Sequence, residues 1–217
     1  MPDSPHTVSD VMTHTAVAVG RHAAYKEIVE LMRQWHISAL PVLEGEGRVI
    51  GVVSEADLLP KEEYRLDDPA QAERPPSDVA KARAVSAAEL MSSPAITVHA
   101  SATIAEAARI MARCRVKRLP VVDEVGLLEG VVSRSDLLKV FLRPDEAIAD
   151  EIRRTVIGHL PPPAQVEVSV ADGVVALHGS LRDRALVSLL ARAARAVEGV
   201  VDVRLSLSNQ APSAPLP

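Results

Sequence analysis

The stretch "GVVSEADLL" runs from Gly51 to Leu59, and "GVVSRSDLL" runs from Gly130 to Leu138. Seven of the nine positions agree at an offset of 79 residues, and in both a serine precedes an aspartate by three. The same offset aligns Met12 with Met91, Val19 with Val98, Glu27 with Glu106 and Met32 with Met111. It also aligns Leu40-Pro41-Val42 with Leu119-Pro120-Val121, and Gly47 with Gly126. The chain therefore carries a duplicated unit of about 50 to 60 residues. One such unit is small for a stable core of its own, whereas two packed together bury what each exposes alone.

Both copies follow one pattern. In the second, "AITV" from Ala95 reads as a short strand, and "TIAEAARIMARC" from Thr103 reads as an amphipathic helix. Its apolar Ile104, Ala107, Ala108 and Met111 keep a spacing of three and four, and Thr103 with Glu106 forms a capping box. "RLPVVD" and "LLEGVV" are two further strands, and "SRSDLLKVFL" opens a second helix. The first copy repeats this β-α-β-β-α order with "VAV", "YKEIVELMRQW", "ALPVL", "RVIGVV" and "SEADLL". Between them, residues 61–85 are rich in charge and proline and read as a solvated linker, helical near its end.

Composition narrows the function. Aromatics make up 2% of the chain and the net charge is −5, so neither a base-stacking platform nor a dense positive face is available for nucleic acid. The single cysteine, Cys114, excludes an intramolecular disulfide and, within an apolar helical stretch, reads as a structural thiol. "MPDSPHTVSD" at the start shows no export signal, and no stretch has the length of a membrane span, so a cytoplasmic location is expected. The histidines are scattered and form no metal spacing, and no nucleophile elbow or P-loop is present. No catalytic residue, metal ligand or prosthetic group is therefore assigned, and a non-enzymatic role is expected.

The Ser-x-x-Asp motif has two readings. At the head of an apolar run it is a helix start, with the serine capping and the acid favoured by the positive helix end. The same free N–H groups and hydroxyl suit a phosphate, and the carboxylate suits the two hydroxyls of a ribose. On that second reading Ser133 serves phosphate, Asp136 serves ribose, and Arg134 offsets phosphate charge.

The ordered motifs "ELMSSPAITV", "EAARIM", "VKRLPVVD" and "GVVSRSDLL", with their first-copy counterparts, resemble a pair of CBS domains, the tandem arrangement called a Bateman module. The resemblance spans about Val8 to Leu142, the linker excepted, with repeats at 8–60 and 86–143. It implies an α+β fold in which two β-α-β-β-α repeats pack as a pair, and a sensor of an adenosine-containing ligand such as AMP, ADP, ATP or S-adenosylmethionine. It places Asp57 and Asp136 at ribose, Ser54 and Ser133 near phosphate, and Thr97 at the ligand. It lines the adenine pocket with the backbone of Ile37 to Pro41, including Ala39, and of Val116, Lys117, Arg118, Leu119 and Pro120. The resemblance also implies a homodimer. The second copy has Thr97, Lys117, Arg118 and Arg134 where the first has Ala18, Ser38, Ala39 and Glu55, so one dominant site centred on Asp136 is expected. Trp35 and His36, beside the first-copy pocket, read as packing residues.

From residue 144 the pattern changes. "DEAIADEIRRTVIGHL" is amphipathic through Ile148, Ile152, Val156 and Ile157, and "PPP" at 161–163 ends it. "QVEVSV" and "VVALHGSL" alternate as strands around a turn in which Gly173 takes positive φ. A helix follows, with Leu186, Leu189, Leu190, Ala193, Ala194 and Val197 as its inner face and Gly199 at its end. "VVDVRLSL" is a last strand. This α-β-β-α-β order, with "VEVSVADGVVALHGSL" and "ARAVEGVVDVRLSL", resembles a BON domain over residues 144–209, followed by a disordered tail at 210–217. That family implies membrane or phospholipid contact. Here an interaction or dimerisation role is the first expectation, with Arg182, Arg184, Arg192 and Arg195 on a solvated face.

The expected function is regulatory: a nucleotide held between the repeats fixes their orientation and reports it to the BON domain or a partner. The alternative is a ligand-independent dimerisation or interaction scaffold whose BON domain meets protein or phospholipid.

Overall fold

A computed structural model of the protein describes residues 6–65, 75–160, 165–181 and 185–209. The triple proline, Arg182, Arg184 and the tail at 210–217 lie outside the described residues. The fold is α+β and divides into two compact units, Thr7–Leu137 and the chain from Leu138 onward together with His6.

The first unit opens with α1 (Val8–Val11), β1 (Val19–Gly20), α2 (Tyr25–Trp35), β2 (Ala39–Glu44), β3 (Arg48–Ser54) and α3 (Glu55–Glu63). The linker contributes α4 (Pro76–Arg83). The second copy supplies α5 (Ala87–Leu90), α6 (Ile104–Arg113), β4 (Arg118–Val122), β5 (Leu128–Ser133) and α7 (Arg134–Leu137). In the first copy β1 pairs parallel with β2, which pairs antiparallel with β3. In the second, β4 pairs antiparallel with β5, and the expected first strand shrinks to one parallel bridge from Val98 to Val121.

Local chemistry sets the helix ends. Thr103 Oγ1 accepts the Glu106 N–H at 3.2 Å and caps α6. His36, directly after α2, and Arg115, two residues past the end of α6, are left-handed at φ 51° and 56°. From beyond each, the N–H of Ile37 and of Val116 reaches back 3.0 Å to the carbonyl of Met32 and of Met111. This 6→1 closure satisfies a terminal carbonyl and turns the chain into the next strand. The apolar stripes Ile28/Met32 and Ile104/Ala107/Met111 are buried beneath. Cys114, expected as a structural thiol, is exposed, because α6 ends at Arg113 and Cys114 is its C-cap.

The copies exchange their leading arms. Thr13 bridges Val131, with N–H to O distances of 2.9 and 3.0 Å, and Ser92 bridges Val52 at 2.9 and 3.1 Å. Ala87 and Leu90 accordingly join Ile28, Leu40, Val42 and Val53 in the core of the first repeat. The glycines of the opening motif make this crossing possible. A Cβ on Gly130 would stand 2.6 Å from the Thr13 carbonyl oxygen, and one on Gly51 would meet the Met91 side chain.

The second unit holds α8 (Asp145–Thr155), β6 (Gln165–Ala171), β7 (Val174–Leu181), α9 (Ala185–Arg195) and β8 (Asp202–Asn209). Strand β7 is central, antiparallel to β6 and parallel to β8. Ile148, Ile152 and Val156 of α8, with Leu190, Ala194 and Val197, pack on Val175, Leu177, Leu181 and Val203. Leu189, expected on the inner face of α9, is 60% exposed, and Ala191, two residues on, is buried instead. Asp145 binds the β6–β7 turn, its carboxylate accepting the N–H of Asp172 and of Gly173 at 2.8 Å each.

Candidate functional site

Both Ser-x-x-Asp motifs sit where a strand passes into a helix. Ser54 ends β3 and Ser133 ends β5, opposite Ala39 and Arg118. Asp57 Oδ2 accepts the Ser54 N–H at 2.7 Å and its hydroxyl at 2.6 Å. Asp136 Oδ2 accepts the Ser133 N–H at 2.9 Å and its hydroxyl at 2.5 Å. The capping reading thus holds in both copies, and it fixes one oxygen of each carboxylate.

The two aspartates differ in surroundings. Asp57 is 6% exposed, a buried charge among the described residues. A buried carboxylate needs partners to offset its lost hydration. It finds them in Lys81 of α4, whose ammonium binds Oδ1, and more weakly in the Ser92 hydroxyl at 3.5 Å. Asp136 is half-buried.

A cavity of about 280 Å³ opens at Asp57. The first copy lines it with Ser38, Ala39, Val52, Ser54, Glu55 and Ala56. The second lines it with Ser92, Pro94, Ala95, Ile96, Arg115, Val116, Lys117 and Arg118. Lys117 and Arg118, assigned from the sequence to an Asp136-centred site, therefore share a cavity with Asp57 and Glu55. The exchanged arms set the segment before β4 against the β3–α3 junction of the other copy. Arg118 spans the copies, donating to Ser38 Oγ at 2.8 Å and to the Ala39 carbonyl at 3.3 Å. Burial pushes its guanidinium below the usual value, opposed by the charges of Glu55 and Asp136.

Other expected residues fall elsewhere. Arg134 folds back on the Val116 carbonyl, donating from Nε at 3.2 Å and Nη2 at 3.0 Å. Leu119, Pro120 and Pro41 are buried in their strands, and Thr97 is half-buried beside the cavity wall formed by Ile96. Ile37 and His36 line an adjoining groove with Arg33 and Glu55. Trp35 is exposed. Sequence reasoning missed Arg115, Ala95, Ile96 and Lys81. The positive φ of Arg115 follows the helix-end pattern of His36, but no local signal marks Lys81.

Among the described residues, no three His, Cys, Asp or Glu side chains are placed to hold a metal ion. Nor is any helix among them long and apolar enough to cross a membrane.

The duplicated fold, with a capped Ser-x-x-Asp at each β–α junction, coincides with matches to the CBS domain family at residues 8–62 and 87–143. The chain belongs to the CBS domain family. A BON domain matches residues 144–208, so a CBS pair precedes a BON domain. The chain is 30% identical to protein MJ1426 of Methanocaldococcus jannaschii over 134 residues, covering 54% of this chain and 80% of that one. It is 27% identical to the inosine-5'-monophosphate dehydrogenase of Aquifex aeolicus over 65% of this chain but only 26% of that enzyme. Among solved structures, the CBS pair resembles CBSX2 in complex with AMP, with 27% identity and a TM-score of 0.56 over 63% of this chain and 97% of that one. A second structure of CBSX2, from Arabidopsis thaliana, matches at 26% identity and a TM-score of 0.52, over 64% of this chain and 96% of that one.

Proposed function

We propose that this protein is a cytoplasmic regulatory sensor that binds an adenosine-containing nucleotide between its CBS repeats and transmits occupancy to the BON domain or a partner. The observation that carries the reading is the cavity at Asp57. It combines a preorganised carboxylate with Lys117 and Arg118, the charge pattern that suits a ribose at one end and a phosphate at the other. The AMP complex of CBSX2 supports the ligand class. Asp57 and Asp136 are the ribose acceptors of the two clefts. Ser54, Ser133, Lys117, Arg118 and Arg134 attend phosphate, and Thr97, Ile37, Ala39, Pro41, Val116, Leu119 and Pro120 frame the base. The placement of Lys117 and Arg118 makes the Asp57 cleft the stronger phosphate site, in place of the Asp136-centred one. S-adenosylmethionine, ADP and ATP are the competing ligands. No prosthetic group or catalytic step enters. The protein acts as a homodimer through the CBS pair.

The mechanism is a population shift, limited to the difference in ligand affinity between two repeat orientations. Isothermal titration with AMP, ADP, ATP and S-adenosylmethionine tests it. Binding that weakens in Asp57→Asn or Asp136→Asn supports the reading, and absence of binding to all four at millimolar concentration refutes it. One observation favours the scaffold alternative: Lys81 already satisfies Asp57 without a ligand. That outcome, with the BON domain meeting protein or phospholipid, is the one left standing if no nucleotide binds.

A further inference from the structure

Helix α4 is held in an unusual way. None of its residues is fully buried, and Val79 and Ala82 are only half-buried, so apolar packing holds it weakly. Two lysines fasten it instead. Lys81 reaches inward to Asp57, and Lys61 of α3 donates to the carbonyl of Ala82 at 3.0 Å. Lys61 is itself placed by the Tyr25 ring, 5.3 Å from its centroid, and the Tyr25 hydroxyl donates to the Leu58 carbonyl at 2.9 Å. Directly after α4, Ala84 is 3% exposed and belongs to the core of the first repeat. The helix is thus a polar-fastened flap with a buried hinge at one end. Segments with few buried apolar contacts open at low free energy.

The fastening uses the same atom a ribose needs. Asp57 Oδ2 is taken by the Ser54 N–H and hydroxyl, so a vicinal diol must engage Oδ1 to bind both its hydroxyls. Oδ1 holds the Lys81 ammonium, whose side chain is only 21% exposed. An oxygen accepts about two hydrogen bonds, so with the lysine in place Oδ1 can take one hydroxyl of the diol but not both.

We infer that Lys81 is an internal competitor for the Asp57 cleft: a nucleoside with a free 2',3'-diol enters by displacing the lysine, and displacement releases α4. Lys81 then sets the affinity of this cleft and makes the helix at 76–83 the reporter of its occupancy. The inference rests on the reading of Asp57 as a ribose acceptor. A charge-assisted hydrogen bond at a partly exposed site holds the closed state about tenfold over the open one, and apparent affinity falls by the competent fraction.

The test uses the full chain, with AMP and 2',3'-dideoxy-AMP as probes. Hydrogen exchange of the unmodified protein should show faster exchange across 76–83 on saturation with AMP, and no such change with the dideoxy probe. By titration calorimetry Lys81→Met should bind AMP about tenfold more tightly, and Lys81→Arg should stay near the unmodified protein. Binding to Lys81→Met alone also supports the inference. If AMP binds, Asp57→Asn weakens it, and yet Lys81→Met leaves affinity and AMP leaves exchange at 76–83 unchanged, the competitor is refuted while the ribose reading stands. If neither the unmodified protein nor Lys81→Met binds AMP, ADP, ATP or S-adenosylmethionine, both fall. The exchange measurement needs no variant, so a misfolded Lys81→Met does not rescue the idea.

Discussion

Gly130→Ala and Gly51→Ala are the same substitution at equivalent places in the two copies, yet the structure predicts different outcomes. An alanine Cβ at 130 lies 2.6 Å from the Thr13 carbonyl oxygen and 3.3 Å from its carbon, both main-chain atoms. The arm must retreat, which strains the paired bonds between Thr13 and Val131 at 2.9 and 3.0 Å. Overpacking against a well-packed element costs about 1–3 kcal/mol, and weakening two hydrogen bonds adds about 1 kcal/mol. Reduced freedom of the unfolded chain returns about 0.4–1 kcal/mol. The net loss is about 1–3.5 kcal/mol. At 51 the obstacle is the Met91 side chain, with Cγ at 2.9 Å and Cβ at 3.0 Å, and an unbranched thioether can turn aside. There the entropy gain offsets most of the strain, leaving about 0–1 kcal/mol. For a unit of this size, roughly 3–4 °C of Tm accompanies each kcal/mol, so scanning calorimetry should find the CBS transition lowered by about 3–14 °C for Gly130→Ala and by less than about 4 °C for Gly51→Ala. Equal shifts, or a larger one for Gly51→Ala, would refute the account of how the arms cross.

Other outcomes follow from the same geometry. Asp57→Asn and Asp136→Asn keep a side-chain acceptor for the serine N–H but lose the charge offered to a diol, so each should weaken AMP by about ten- to a hundredfold at its own cleft, read by calorimetry. The pKa of Tyr25 is raised, first by burial and then by the charge of Glu62. Its neutral form therefore stabilises the fold below the ordinary tyrosine pKa, and that contribution is lost as pH rises through the raised value. Ultraviolet titration should show a late-ionising tyrosine that is absent in Tyr25→Phe. Gly173→Ala places a Cβ 2.9 Å from the Gly199 carbonyl oxygen at φ 72°. It should destabilise the BON unit by at least about 1–2 kcal/mol while leaving the CBS transition in place.

Much of the architecture was written locally. The 3–4 spacing of Ile104, Ala107 and Met111, the Thr103 cap and the alternation of "QVEVSV" each depend on residues within one or two turns of each other, and each formed as read. The offset of 79 residues by itself established the duplication, and the Ser-x-x-Asp spacing established both helix caps. Burial at the margin was less legible: Leu189 lies at the edge of its apolar stripe, where a step of about 100° decides exposure, and Cys114 lies just past the end of its helix.

Only the tertiary structure decided which copy meets which. Two near-identical halves offer the same pairing surfaces, so no local signal says whether Ser92 bridges its own strand or Val52 of the other copy. The crossing at Gly51 and Gly130 settles it by steric fit, and with it brings Lys117 and Arg118 of the second copy into one cavity with Asp57 of the first. The fate of Lys81 is decided the same way. In sequence it is one cation in a charged linker. It becomes the partner of Asp57 because a carboxylate buried by the packed repeats requires a counter-charge, and α4 is the segment that reaches it.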